Sequence, residues 1–226
     1  MTTQDLQDES VTTLLSTFEH AIVYEDISFG YEANTILLDQ FSLTIPRGQK
    51  IAIMKSGSKS TVCKLLTKLI LPSDTISFQN DTQKIPSDTV SVVELYRHVG
   101  YLYQEPLVFD TIENISLHTP VSKKTLEDAL VSVLDHLGLD TIIEQLLLSG
   151  EKQRVALARA FVFDYDVLLL DEPTSNLDLE LEQQILHLFK RYANKTIICI
   201  THRPFVLDMV DRVLTMRHMI VEDVVK

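Results

Sequence analysis

Glycine is scarce in this chain. It holds six of 226 residues, where an average usage of about 7% would give roughly 16. Cysteine is scarcer: Cys63 and Cys199 stand alone. Two cysteines cannot build a disulfide framework, which points to a reducing compartment. Positive charge is short as well. Twenty Lys plus Arg face 32 Asp plus Glu, for a net charge of −12. That balance argues against nucleic acid or an anionic lipid surface as partner, since both require a basic face. No Lys or Arg precedes Arg47, so the charged start of a secretory leader is not expected. The unbroken apolar runs are a handful of residues long, far below the roughly 20 that span a bilayer.

What is present is ordinary for a globular domain. Hydrophobic residues make up 45% and charged residues 23%, which excludes general disorder. The length allows one large domain or two small ones with a real core. Residues 1–20 are polar and acidic and are expected to form a loose arm or short helix. Asn80 to Asp88 is a polar stretch with Pro86 that reads as a surface loop.

Three short apolar runs do not alternate with polar residues: Ile51–Met54, Val167–Leu170 and Ile197–Ile200. Such runs fit strands buried on both faces, which usually means a parallel sheet. Each runs into a polar cluster: Lys55 to Thr61, Asp171-Glu172 and Thr201-His202. Ligands of open α/β sheets bind outside the carboxyl ends of the strands, so the three clusters are expected to meet in one site. Residues 21–46 alternate and read as antiparallel strands. Helices are expected at about 60–70, 123–137, 151–163 and 179–192, with 105–150 mostly helical.

The stretch Met54-Lys-Ser-Gly-Ser-Lys-Ser-Thr61 follows a strand and opens a helix. There, free backbone N–H groups and the helix dipole face an anion. Lys59 would reach the β- and γ-phosphates of a nucleotide, and the Ser60 hydroxyl would ligate Mg²⁺. The phosphate-loop pattern G-x-x-x-x-G-K-[ST] is incomplete: Met54 stands at the first glycine, and the glycine before Lys59 is missing. Alone, the match is weak. The strand Val167–Leu170 ending in Asp171-Glu172 strengthens it. Asp171 would hold Mg²⁺ through water, and Glu172 would polarise the attacking water. An exposed acidic turn is the plainer alternative for these two residues.

Two longer stretches are more specific. Leu148-Ser-Gly-Glu-Lys-Gln-Arg-Val-Ala-Leu-Ala-Arg-Ala160 and Leu170-Asp-Glu-Pro-Thr-Ser-Asn-Leu-Asp178 resemble the signature motif, Walker B and D-loop of ATP-binding cassette (ABC) ATPases. The resemblance covers about residues 21–224. It implies an α/β P-loop NTPase fold: a mostly parallel sheet flanked by helices, an N-terminal antiparallel β layer and a helical insertion. The implied division is an arm at 1–20 and an ATPase domain at 21–226, with a helical subdomain at about 105–160.

The resemblance also implies roles. Tyr31 would stack on adenine. Gln104 would contact Mg²⁺ and the attacking water, and His202 the γ-phosphate. Asp178 would act across a dimer interface. Ser56, Gly57, Ser58, Lys59, Ser60 and Thr61 would cradle the nucleotide. Ser149, Gly150 and Glu151 would close on the nucleotide of the opposite copy. Ser60, Gln104 and Asp171 would form the metal site. The segment Tyr103-Gln-Glu-Pro-Leu-Val-Phe-Asp-Thr-Ile-Glu-Asn-Ile115 is similar to the exporter subtype.

The implied cofactors are ATP and Mg²⁺. The implied partners are a second copy or paired ABC ATPase domain and a transmembrane transporter subunit or domain, with no nucleic acid. The implied location is the cytoplasmic face of a membrane, held through that partner. The function so implied is ATP hydrolysis powering export. The alternatives are a catalytically impaired regulatory module and a soluble, non-transport ABC ATPase.

Set against the family pattern, one residue is absent at each of five places: between Ser58 and Lys59, Gly150 and Glu151, Asp110 and Thr111, near Asn194–Lys195, and between His218 and Met219. The family usually has glycine at each, which accounts for the low glycine count. Retention of Glu172, His202, Gln104 and Asp178 speaks against long decay.

Overall fold

The structure is a computed structural model that describes residues 20–32, 35–54, 59–70, 76–105, 153, 156–157, 160–161, 163, 165–175, 194–217 and 220–225. The helices expected at 123–137 and 179–192 lie outside these residues, as do all of the arm but His20 and most of the insertion.

The three apolar runs form adjacent parallel strands, as their lack of alternation predicts. They are β3 (Lys50–Met54), β7 (Val167–Asp171) and β8 (Thr196–Ile200). With β6 (Val99–Leu102), β9 (Arg212–Arg217) and β10 (Ile220–Val225), they make a six-stranded sheet of order β10-β9-β3-β8-β7-β6. Every pairing is parallel except β9 with β10. That hairpin keeps continuous register from Arg217↔Ile220 outward. All residues of β7 and β8 are buried.

The N-terminal layer is antiparallel, as the alternation of 21–46 predicts. β1 (His20–Phe29) lies between β2 (Leu38–Pro46) and β4 (Ile76–Gln79), with the short β5 (Lys84–Pro86) beyond β4. β5 corrects the expectation of a loop over Asn80–Asp88. The Asn80 side chain accepts hydrogen bonds from the backbone N–H groups of Thr82 and Gln83. This local turn folds the chain back so that Lys84 pairs with Gln79.

Helix α1 (Lys59–Leu66) lies between the two sheets and buries Thr61, Val62, Cys63, Leu65 and Leu66. The buried Tyr24 of β1 donates its hydroxyl to the Val62 carbonyl at 3.1 Å. One continuous core therefore includes both layers, from Ile22 and Phe41 to Leu169 and Ile200. Helix α2 (Val92–His98) begins at Ser91, whose hydroxyl accepts from the Glu94 N–H. This capping signal has Ser followed three residues later by Glu.

His98, at the end of α2, pins β6 to the start of β7. Its Nδ1 lies 2.6 Å from Asp166 and its Nε2 lies 3.0 Å from the buried Glu94. Only imidazolium can donate to both carboxylates. The Asp166 hydrogen bond, opposed by burial and helped by Glu94, raises the His98 pKa. For Asp166, burial acts upward but the bond and charge of His98, with Lys195 and Arg47, lower the net value.

Linkage sets the sign of the pH effect. A raised His pKa gives stability that is full below the unfolded value of about 6.5 and fades as pH rises through the folded value. His98→Gln should therefore destabilise the protein by roughly 1–3 kcal/mol at pH 6 and by less at pH 9. Urea unfolding at the two pH values checks this; a larger loss at pH 9 would contradict it.

Candidate functional site

The carboxyl ends of β3, β7 and β8 bring the polar clusters together, as the strand pattern predicts. Met54 ends β3, and Lys59 opens α1 after an interval of four residues. Asp171 ends β7, and Glu172 comes next in left-handed backbone at φ 49°. That conformation costs a non-glycine residue about 1–3 kcal/mol. Two hydrogen bonds hold it: Glu172 N–H donates to the Ile200 carbonyl at 2.9 Å, and Ser175 N–H donates to the Glu172 carbonyl at 3.2 Å. Thr201 N–H donates to the Ile53 carbonyl, and the Thr201 hydroxyl accepts from Arg203 N–H. This anchors both sides of His202.

The result is a cation–carboxylate–imidazole row. Lys59 Nζ stands 3.4 Å from Glu172 Oε1, and His202 Nδ1 stands 2.9 Å from Oε2. The Glu172 side chain is only 10% exposed, whereas the His202 ring is 65% exposed. Among the described residues, the His202 ring is the group nearest the buried Oε2, at 2.9 Å. A buried carboxylate at the end of a strand, flanked by a cation and an imidazole, is a group able to polarise a water molecule.

Beside this row lies a cleft of about 720 Å³ lined by Ser60, Lys64, Tyr101, Gln104, Phe163 and Asp171, among others. The three residues expected to hold the metal, Ser60, Gln104 and Asp171, thus face one space. They offer a hydroxyl, an amide and one carboxylate. These are hard oxygen donors of the kind Mg²⁺ takes when phosphates and waters complete its shell. The residues fit the ion. Gly100 forms part of the wall because a Cβ there would stand 2.4 Å from the Tyr165 ring.

Tyr31 is 58% exposed, with its ring edge-on to Phe29 at 5.2 Å. This leaves a face open for stacking and disfavours a core role. Thr61 is buried at the start of α1. Ser56, Gly57, Ser58, Ser149, Gly150, Glu151 and Asp178 lie outside the described residues. Cys63 and Cys199 are fully buried. Burial first, and then neighbouring carboxylates, pushes both thiols up, so they serve as protonated core residues.

Sequence reasoning gave no role to two residues that touch this site. Tyr101 donates its hydroxyl to Asp171 Oδ2 at 3.2 Å. Gln153 is buried and donates its amide to the Pro173 carbonyl at 3.2 Å. It ties the helical residues near 153–161 to the turn after Glu172. The signal for Gln153 was a polar residue in phase with Ala156, Leu157 and Ala160. Tyr101 carried no signal, since only strand register brings it to Asp171.

A family model described as "ABC transporter" matches residues 38–175. The chain is 35% identical to the mesentericin-Y105 transport/processing ATP-binding protein MesD of Leuconostoc mesenteroides, over 97% of the chain and 32% of that protein. It is 32% identical to the alpha-hemolysin translocation ATP-binding protein HlyB of Escherichia coli, over 86% of the chain and 30% of that protein. It is 31% identical to the lipoprotein-releasing system ATP-binding protein LolD of Rickettsia felis, over 87% of the chain and 95% of that protein. Among solved structures, a bacterial Atm1-family ABC exporter with ATP bound superposes with a TM-score of 0.76 at 26% identity, over 90% of this chain and 38% of that one. The chain thus spans about a third of the length of MesD and HlyB. These relatives lend no support to the catalytically impaired alternative. Among the described residues, no helix is long and apolar enough to cross a membrane. With its parallel sheet, its polar row at the strand ends and these relatives, the chain belongs to the ABC transporter family as an ATP-binding domain of the exporter type.

Proposed function

We propose that this chain binds Mg-ATP between two copies, or between itself and a paired ABC ATPase domain, and that hydrolysis drives export through a transmembrane partner. The observation that carries this reading is the convergence of Lys59, Glu172 and His202 beside a cleft lined by Ser60, Gln104 and Asp171. The corresponding location is the cytoplasmic face of a membrane, peripheral through the partner. The division into an arm at 1–20 and an ATPase domain at 21–226, with a helical subdomain at about 105–160, belongs to the same reading.

Each residue then has a task. Tyr31 stacks on adenine. Lys59 leaves Glu172 and engages the β- and γ-phosphates, aided by backbone N–H groups of Ser56 to Thr61. Ser60, Asp171 and Gln104 hold Mg²⁺, which when bound neutralises charge developing on the phosphoryl oxygens. Glu172, released from Lys59, accepts the proton of the attacking water. His202 turns its exposed ring to the γ-phosphate. Ser149, Gly150 and Glu151 from one copy, with Asp178, complete the site of the other.

Calorimetric titration with ATP and Mg²⁺, paired with phosphate release, tests the reading. The chain should bind and hydrolyse ATP; absence of both would overturn it. In the same titration, Tyr31→Ala should weaken ATP binding by about tenfold or more, because base stacking on an aromatic is worth about 1–3 kcal/mol. Its nucleotide-free melting temperature should stay unchanged, since the ring is exposed. Unchanged affinity with lowered stability would return Tyr31 to a structural role.

A further inference from the structure

We propose that Tyr101 is a positioning residue for the metal-binding carboxylate, its hydroxyl orienting Asp171 toward Mg²⁺. The inference rests on the proposed function, in which Asp171 holds the ion. β6 and β7 run parallel, with Tyr101 paired to Leu169 and Leu102 to Leu170. Side chains of paired residues point to the same face, and residues 169 and 171 share that face. Tyr101 therefore starts two residues short of Asp171, about 6.6 Å along the strand direction. A phenol bridges that interval, whereas serine or threonine would not.

The observed bond, from the Tyr101 hydroxyl to Asp171 Oδ2 at 3.2 Å, completes this geometry. The Tyr101 ring also packs against the Tyr103 ring, with centroids 4.2 Å apart. Asp171 is 5% exposed, so bulk water is poorly placed to substitute for the phenol. The bond takes one carboxylate oxygen and leaves the lone pairs of the other to hold the ion through water. Outer partners of this kind orient metal ligands, and their loss typically costs 10–100-fold in metal affinity.

The test uses Tyr101→Phe, which keeps the ring and its contact with Tyr103 and removes only the hydroxyl. Mn²⁺ serves as the probe, with binding measured by electron paramagnetic resonance in saturating ATP. Metal affinity should fall about tenfold or more, while ATP affinity in EDTA and the melting temperature stay unchanged. Asp171→Asn is measured alongside. Loss of Mn²⁺ binding in Asp171→Asn, with parental affinity in Tyr101→Phe, would overturn the positioning role alone. Parental Mn²⁺ affinity in Asp171→Asn would overturn the metal role of Asp171, and the inference with it. If Tyr101→Phe lowers ATP affinity in EDTA as much as it lowers Mn²⁺ affinity, the hydroxyl acts on the whole site and the proposal fails.

Discussion

Glu172→Gln is expected to lower ATP turnover by about 10²–10⁴-fold, the usual contribution of a positioned general base. Glutamine keeps the shape of the side chain and can still accept from Lys59, so the nucleotide site should remain assembled. What it loses is the ability to take a proton from water at the buried carboxylate. Binding and hydrolysis should therefore separate. ATP affinity should hold or rise, because Lys59 no longer leaves a full negative charge 3.4 Å away. An ATP-dependent dimer should persist, because the step that dissolves it is slowed. Sedimentation of the variant with and without Mg-ATP, beside a phosphate-release assay, measures both effects. Parental turnover would remove Glu172 from the catalytic role. A monomer in both conditions would remove the sandwiched-dimer part of the proposal.

Insertion of glycine between Ser58 and Lys59 should raise ATP affinity by about tenfold or more. β3 ends at Met54 and α1 starts at Lys59, so four residues separate the two elements where the family pattern has five. One residue removed ahead of a helix rotates that helix by about 100° relative to the loop, or draws a residue out of the strand. The family pattern has glycine ahead of that lysine, and a residue with a side chain in a conformation that needs glycine costs about 1–3 kcal/mol. β3 and α1 are both buried in the core, so the penalty falls on the phosphate cradle and not on the fold. A second glycine, between Gly150 and Glu151, should leave affinity alone and raise turnover, because the proposed function has that loop act on the opposite copy's nucleotide. Titration and phosphate release on the parent, single-insertion and double-insertion chains test the pair. Equal values in all three would show that the cradle tolerates its shortened loop.

The parallel sheet was legible because Ile51–Met54, Val167–Leu170 and Ile197–Ile200 are too apolar to have a wet face. Buried runs of that length have few other places to go. The same runs led into the clusters that hold Lys59, Asp171-Glu172 and His202, so the membership of the polar row could be read from where the hydrophobicity stopped. The alternation over 21–46 marked the antiparallel layer for the complementary reason. The strand of Lys84–Pro86 was hidden, because its three residues put only Ile85 against the core, too little to show alternation, and it forms through the Asn80 turn.

Other features belong to the tertiary structure alone. The positive φ of Glu172 is imposed by hydrogen bonds to Ile200 and Ser175; no local signal predicts a glutamate in that conformation. His98 meets Asp166 across 68 residues, and Tyr101 meets Asp171 across 70. Both contacts depend on which strand lies beside β7. The amino-acid sequence by itself determined the three buried strands, the antiparallel layer over 21–46 and the chemical groups at the strand ends. Which groups touch was decided by strand order and register, because these set side-chain neighbours that lie far apart along the chain.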